Sequence, residues 1–259
     1  MKRLFAFVFA SLVFLLLTIT SFAQGTPDIP ERNYPRSPTE VEKYVDAIGK
    51  GGPESRPEMR VITKGLLAPA ESDRIAYAGF LKQPDSGLIR LLPREIYDAE
   101  TYHTKSPVTI RGGGAYYSFA RLTHVYGYGS DIELDHDTLS VGFAGADYGM
   151  ITDLGQVPLD EVTLAQPYTI FLASYLAPAN EPDARAEGRR FREHRLAING
   201  VTYASRLPVK VGDTYLLRSI SYDRSDVLVG LTVFRKDTDG SVIIAWKLLQ
   251  EFQPTRLIN

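Results

Sequence analysis

The sequence predicts a mainly β fold, an antiparallel sandwich or barrel carrying one or two short N-terminal helices. Three observations predict it. From about residue 108 onward, apolar residues fall in short runs divided by turn residues, and several of these runs alternate with period 2, as half-buried strands do. Three of the turns fold their flanking runs back so that apolar side chains meet apolar ones. The two patterns with helical caps and spacing both lie before Pro84, and no βαβ alternation or internal repeat is present.

The chain opens on a secretory pattern. Lys2 and Arg3 precede an apolar run from Leu4 to Ile19, and Ser21-Phe22-Ala23 places small residues at −3 and −1 of a cut after Ala23. The rival is an uncleaved anchor, but the run is shorter than the roughly 20 residues a spanning helix needs. No cysteine stands near the cut, so a lipid-anchored form is excluded. Residues 1–23 are therefore expected to be a signal peptide, and the protein to be exported to a periplasm or beyond. After cleavage no membrane span is expected. Pro27, Pro30, Pro35 and Pro38 then mark residues 24–38 as an extended lead-in.

The first helix is predicted over 38–48. Ser37-Pro38-Thr39-Glu40 supplies a cap, Pro at the first helical position and Glu three after the cap. Val41, Tyr44, Val45 and Ile48 line one face, and Gly49, Gly51 and Gly52 end it. A second helix is predicted over Pro69–Leu81, with Ile75, Ala76, Gly79 and Phe80 on one side. Pro84 to Gly87 turns the chain into a strand-like Leu88–Leu92, and 108–176 is expected to add further strands.

Each hairpin has a register that parity can check. A turn at Asp135–Thr138 sets Leu134 against Leu139 and Ile132 against Val141, leaving Asp131, Glu133 and Asp135 together on the other face. Asn199-Gly200, the preferred type I′ dipeptide, pairs Ile198 with Val201 and Leu196 with Tyr203. Asp237–Gly240 joins two long runs in which Val229, Leu231 and Val233 share a face with Ile244, Trp246 and Leu248. Both faces are apolar there, so these strands are expected to be covered on both sides. Thr214–Tyr222 precedes them through a turn at Asp223–Asp226. The simplest register sets Ile220 against Val229 and puts Arg218 on the apolar face, which requires a bulge or sheet edge, or else a buried carboxylate partner. Residues 39–259 are read as one domain, with a possible break near 178–193, where prolines and a charged run interrupt the pattern.

Composition narrows the chemistry. The chain has no cysteine, so disulfides, thiolate catalysis, iron–sulfur clusters and Cys-bound zinc are excluded. A formal net charge of −2 gives no global field for gripping nucleic acid. Nucleophile-elbow, phosphate-loop, zincin and dinucleotide motifs are all absent, and no two of His103, His124, His136 and His194 stand at zinc-ligand spacing. Asp237–Gly240 fits a hairpin turn; as part of a calcium loop it would need acids where Arg235 and Trp246 stand.

Three clusters remain. Asp131, Glu133 and Asp135 stand about 7 Å apart along one strand face. They are candidate calcium ligands, and candidate carboxylates for glycan hydrolysis, against the plainer reading of a solvated strand face. Calcium is the only cofactor considered; none is required. Arg111-Gly112-Gly113-Gly114 offers backbone N–H groups that could cradle an anion, or else a loop needing unusual φ angles. Tyr116, Tyr117, Tyr126 and Tyr128 follow it, and with Arg111, Asp131 and Glu133 they form the candidate ligand site. Aromatic rings on a sheet stack on sugars and other flat ligands, although tyrosine is also a good strand former. The arginines between Arg185 and Arg195, interspersed with Asp183, Glu187 and Glu193, read as a solvated loop or short helix. The leading expectation is a non-catalytic β-domain at the cell envelope that binds a small molecule, a glycan or an envelope protein. The alternatives are an envelope hydrolase using carboxylates between Asp131 and Asp137, and a structural envelope protein.

Overall fold

The computed structural model describes residues 57–127, 129–143 and 145–258, all within one compact unit. The signal peptide, the lead-in and the helix predicted over 38–48 lie outside these residues. The fold is mainly antiparallel β, and its sheets are open, which makes it a sandwich and not a barrel. The helices α1 (Pro57–Leu67) and α2 (Glu71–Ala76) come first, followed by β1 (Ser86–Leu91), α3 (Arg94–Tyr97) and α4 (Ala99–Tyr102). Strands β2 (Tyr116–Tyr117), β3 (Ile132–Asp135), β4 (Thr138–Ser140) and β5 (Tyr148–Asp153) lead into α5 (Pro167–Ser174) and α6 (Glu181–Glu193). The chain ends with β6 (Leu196–Ile198), β7 (Val201–Tyr203), β8 (Arg206–Pro208), β9 (Thr214–Ser221), β10 (Ser225–Lys236) and β11 (Val242–Phe252).

Five strands form the large sheet in the order β1-β11-β10-β9-β5, and four form the small one, β2-β3-β4-β8. The sheets bury a shared core between them, with Leu217, Val229, Leu231 and Ile244 on one side and Ile132, Leu134 and Leu139 on the other. A second core lies on the outer face of the large sheet, where Met150, Leu216 and Leu228 meet Leu172 of α5 and Phe191 of α6. The large sheet is thus buried on both faces, as its two-sided apolar pattern predicts.

The first hairpin turns at His136-Asp137 alone, both in the left-handed region (φ 44° and 58°), and pairs Leu134 with Leu139. Asn199-Gly200 makes the second turn, with the pairing read from the sequence. In the third hairpin Val229 opposes Leu248, Leu231 opposes Trp246 and Val233 opposes Ile244, with register shifts after Leu228 and Val233.

Several elements differ from the sequence expectation. Of residues 108–176, the segment Pro167–Ser174 is a helix, because Tyr168, Phe171 and Leu172 pack onto the outer face of the large sheet instead of pairing in it. The charged run, by contrast, takes the helical of its two expected forms, as the 13-residue α6, capped by Asn180 and seated through Ala184, Gly188 and Phe191, one residue per turn. The helix predicted over 69–81 shrinks to α2 and a 3₁₀ turn at Phe80–Lys82. Ile75 is 70 % exposed, and α2 is held through buried Asp73, which caps its N-terminus and pairs with Arg235 of β10.

The β9–β10 register is three residues from the simplest one. The turn is Tyr222–Arg224, so Ser225 and Asp226 belong to the strand, Asp226 opposes Ile220 and Leu228 opposes Arg218. An odd shift moves Arg218 to the other face. There it is 3 % exposed and bidentate to Asp226, at 2.8 Å and 2.9 Å. Its remaining terminal nitrogen donates to the carbonyls of Leu172 and Tyr175, and the guanidinium lies 3.7 Å from the Phe252 ring centre. Arg218→Met leaves the Asp226 charge buried and unpaired and is expected to cost about 3–5 kcal/mol. Arg218→Met with Asp226→Leu is expected to recover a large part of that loss, checked by urea unfolding of the three proteins.

Candidate functional site

The edge of the small sheet and the two short helices beside it make one charged rim. Tyr116 of β2 lies opposite Glu133 of β3, and its hydroxyl donates to Glu133 Oε1 at 2.5 Å. Arg94 of α3 donates to the same oxygen at 2.9 Å, to Asp98 at 3.1 Å and to Thr101 at 3.2 Å. Asp98 also caps α4 by accepting from the Thr101 N–H. Burial pushes the Asp98 carboxyl up, but hydrogen bonds from Thr101 and Arg94 outweigh it and the net shift is downward. Glu133 goes the other way: burial raises its pKa against the pull of Tyr116 and Arg94. Farther along β3, Asp135 Oδ1 accepts from the Tyr102 hydroxyl at 2.9 Å and lies 3.0 Å from His136 Nδ1, while the His136 N–H donates to Glu95.

The three carboxylates predicted to share a strand face have three separate sets of partners. Asp131 is fully buried, its Oδ2 accepting from the Phe119 N–H at 2.7 Å and from Ser118 at 3.3 Å. Glu133 is held by Arg94 and Tyr116, and Asp135 by Tyr102 and His136. Among the described residues, the group able to approach one ion is Glu95, Asp135 and His136, whose ligand atoms lie within 4.8 Å of one another. Asp135 alone is common to this set and to the predicted calcium trio. An imidazole in the set suits a transition-metal ion better than calcium, whose shell is oxygen.

The glycine run is a packing device. Gly112, Gly113 and Gly114 have φ of 83°, 62° and 79°. An added Cβ on Gly113 would stand 2.4 Å from the Tyr97–Asp98 backbone, and one on Gly112 would stand 2.5 Å from the Tyr116 ring. Two N–H groups of the run are already used, Gly113 to Ile110 and Ala115 to Gly112. The run therefore lets the turn tuck under α3 and α4; it does not hold an open anion cradle.

Above that turn is an aromatic ledge. The Arg111 guanidinium lies 5.3 Å from the Tyr126 ring centre, and Tyr126 packs against Tyr116 with ring centres 4.4 Å apart and planes tilted by 39°. Phe143 meets the other ring of this pair edge-on, 5.3 Å from Tyr116. Arg111 is exposed and Tyr126 half-buried. Tyr117 points the opposite way, into the core against Phe119, His124 and Trp246, so it is not part of the ledge. Half-buried His124 has its pKa lowered to about 4 by desolvation, which leaves it neutral. Tyr128 lies outside the described residues.

Sequence reasoning missed Arg94, Asp98 and Tyr102. The Arg94–Asp98 pair, four residues apart, carried a local signal; the tie from Arg94 to Glu133, 39 residues on, carried none. No family model, curated protein or solved structure matches the chain.

Two outcomes are expected. Gly113→Ala combines a positive φ with a backbone clash and should destabilise by about 3 kcal/mol or more, seen as a shifted urea midpoint. Burial pushes the Asp131 carboxyl up to about 6, so between its ordinary pKa and 6 the folded chain holds a proton that the unfolded chain has lost. That contribution is fully present below about pH 4 and is lost as pH rises through 6. Asp131→Asn removes the slope. Relative to wild type, its unfolding free energy should rise by about 2–3 kcal/mol between about pH 4 and about pH 8.

Proposed function

We propose that the chain is an exported, non-catalytic β-protein that binds a flat polar ligand, a glycan ring above all, on the Arg111–Tyr126 ledge. The observation that carries this reading is how the ledge is held. Tyr126 packs at a tilt against Tyr116, and the Tyr116 hydroxyl is tied to Glu133, which Arg94 holds in turn. An exposed guanidinium and a half-buried ring are thus presented on a rigid base, so little ordering cost opposes a ligand that stacks there.

The carboxylates support binding over hydrolysis. A retaining or inverting glycosidase needs two carboxyl groups free to meet the substrate. Glu133 Oε1 already takes hydrogen bonds from Tyr116 and Arg94, and Asp135 Oδ1 takes one from Tyr102. The charges on the rim are spent on one another, which suits an interface. Export rests on the n-region, apolar run and small-residue cut of residues 1–23. Among the described residues no helix is long and apolar enough to cross a membrane.

A glycan array probed with the chain from Gln24 onward tests this. Binding to at least one glycan class is expected, with Arg111→Ala and Tyr126→Ala each weakening it about tenfold or more while the melting temperature shifts little. An array with no signal, or variants that bind as wild type does, would remove the ledge as the site. Release of reducing sugar from any bound glycan would remove the non-catalytic reading.

A further inference from the structure

At one end of the sandwich the segment joining β2 to β3 meets the tip of the β9–β10 hairpin, and the contact is polar and sealed. Ser118, Arg121, Ser130 and Asp131 come from the segment, and Ser219 and Ser225 from the hairpin; each is more than nine-tenths buried. The two sides touch directly. An added Cβ on Gly129 would stand 3.2 Å from Ser225 Oγ and 3.6 Å from Arg121 Cζ, and the Ser219 hydroxyl helps hold the Asp131 carboxylate charged.

Within this cluster Asp131 Oδ1, Ser130 Oγ and Ser225 Oγ are out of reach of bulk solvent and make no hydrogen bond to any described residue. Buried polar atoms are almost always satisfied, and a carboxylate oxygen is among the costliest to leave bare. Gly129, at φ 68°, lets the segment approach Ser225 closely, where any side chain would crowd its hydroxyl.

We propose that the cluster encloses a bound water molecule that donates to Asp131 Oδ1 and exchanges hydrogen bonds with the Ser130 and Ser225 hydroxyls. The chemistry of the lining selects a neutral guest. The Arg121 guanidinium opposes a cation, the Asp131 carboxylate opposes an anion, and the two hydroxyls each donate or accept as required. A small molecule with two donors and two acceptors satisfies all three atoms, and two to four polar partners are what an internal water needs. The water completes the joint between the small sheet and the hairpin, whose facing hydroxyls do not reach one another.

The test is an atomic-resolution crystal structure of the chain from Gln24 onward, paired with oxygen-17 relaxation dispersion in solution. One ordered water within hydrogen-bonding distance of all three atoms is expected. Ser130→Ala/Ser225→Ala should hold one fewer long-lived water, with its circular dichroism unchanged; if the pair does not fold, Ser225→Ala alone is compared. A dry cluster, hydroxyls turned to bond one another, a cation at short oxygen distances, or an unchanged water count in the folded variant would each overturn the proposal.

Discussion

Arg218 stands in the middle of a strand that is buried on both faces, and a guanidinium is tolerated there only because every side of it is met. Asp226 takes it bidentately, two carbonyls at the end of α5 take the remaining terminal nitrogen, and Phe252 covers its face. A buried ion pair alone does little better than well-packed hydrocarbon. The Leu172 and Tyr175 carbonyls change that balance, because the C-terminal carbonyls of a helix have no partner within it and would otherwise be buried unmet. One side chain thus closes a helix end, neutralises a buried acid and fastens the helical layer to the sheet. It also fixes register. Asp226 and Arg218 share a face in the observed pairing, and a slip by one residue would bury both charges apart, in opposite cores.

The rest of the architecture follows from a sheet with two covered faces. Once β9, β10 and β11 serve as a wall for both cores, neither face can carry the alternation of a half-exposed strand. Polar residues then concentrate at the hairpin tips and the sheet edges. The Ser219–Ser225 tip and the Glu133–Asp135 edge are two such places. At each, the chain supplies partners from distant segments: the loop between β2 and β3 for the tip, α3 and α4 for the edge.

What was legible in the sequence is what two-residue periodicity and turn chemistry can carry. The pairing of Leu134 with Leu139, the Asn199-Gly200 hairpin and the facing of Leu231 and Trp246 all follow from parity and a turn dipeptide. The β9–β10 register was not legible, because the simplest turn matched Ile220 with Val229 and left Arg218 as its one misfit, and the Asp226 partner that resolves it comes into place only with a register three residues away. Nor was α5, whose Tyr, Ile and Phe suit a strand as well as a helix until the sheet beneath selects the helix. At the candidate site, alternation placed Glu133 and Asp135 toward one rim. It failed for Asp131, which stands just before the paired part of β3 and turns its carboxylate back onto the Phe119 N–H.

That failure bears on what the rim is for. Had Asp131 stayed beside Glu133 and Asp135, three carboxylates in a row would have repelled one another and sought a cation. With Asp131 withdrawn into the sandwich, the two that remain are each met by a tyrosine hydroxyl, and Glu133 also by a guanidinium. Both carboxylates therefore sit in hydrogen-bonded settings and not as a bare acidic row. The exposed cation is instead Arg111, standing over a ring whose base is that same Tyr116–Glu133–Arg94 chain. Fixing the acids is therefore what holds the Tyr116 ring, and through it Tyr126, in place. The glycine run enters here as a steric requirement: any side chain at Gly112 would displace the Tyr116 ring, and with it the surface on which Tyr126 rests.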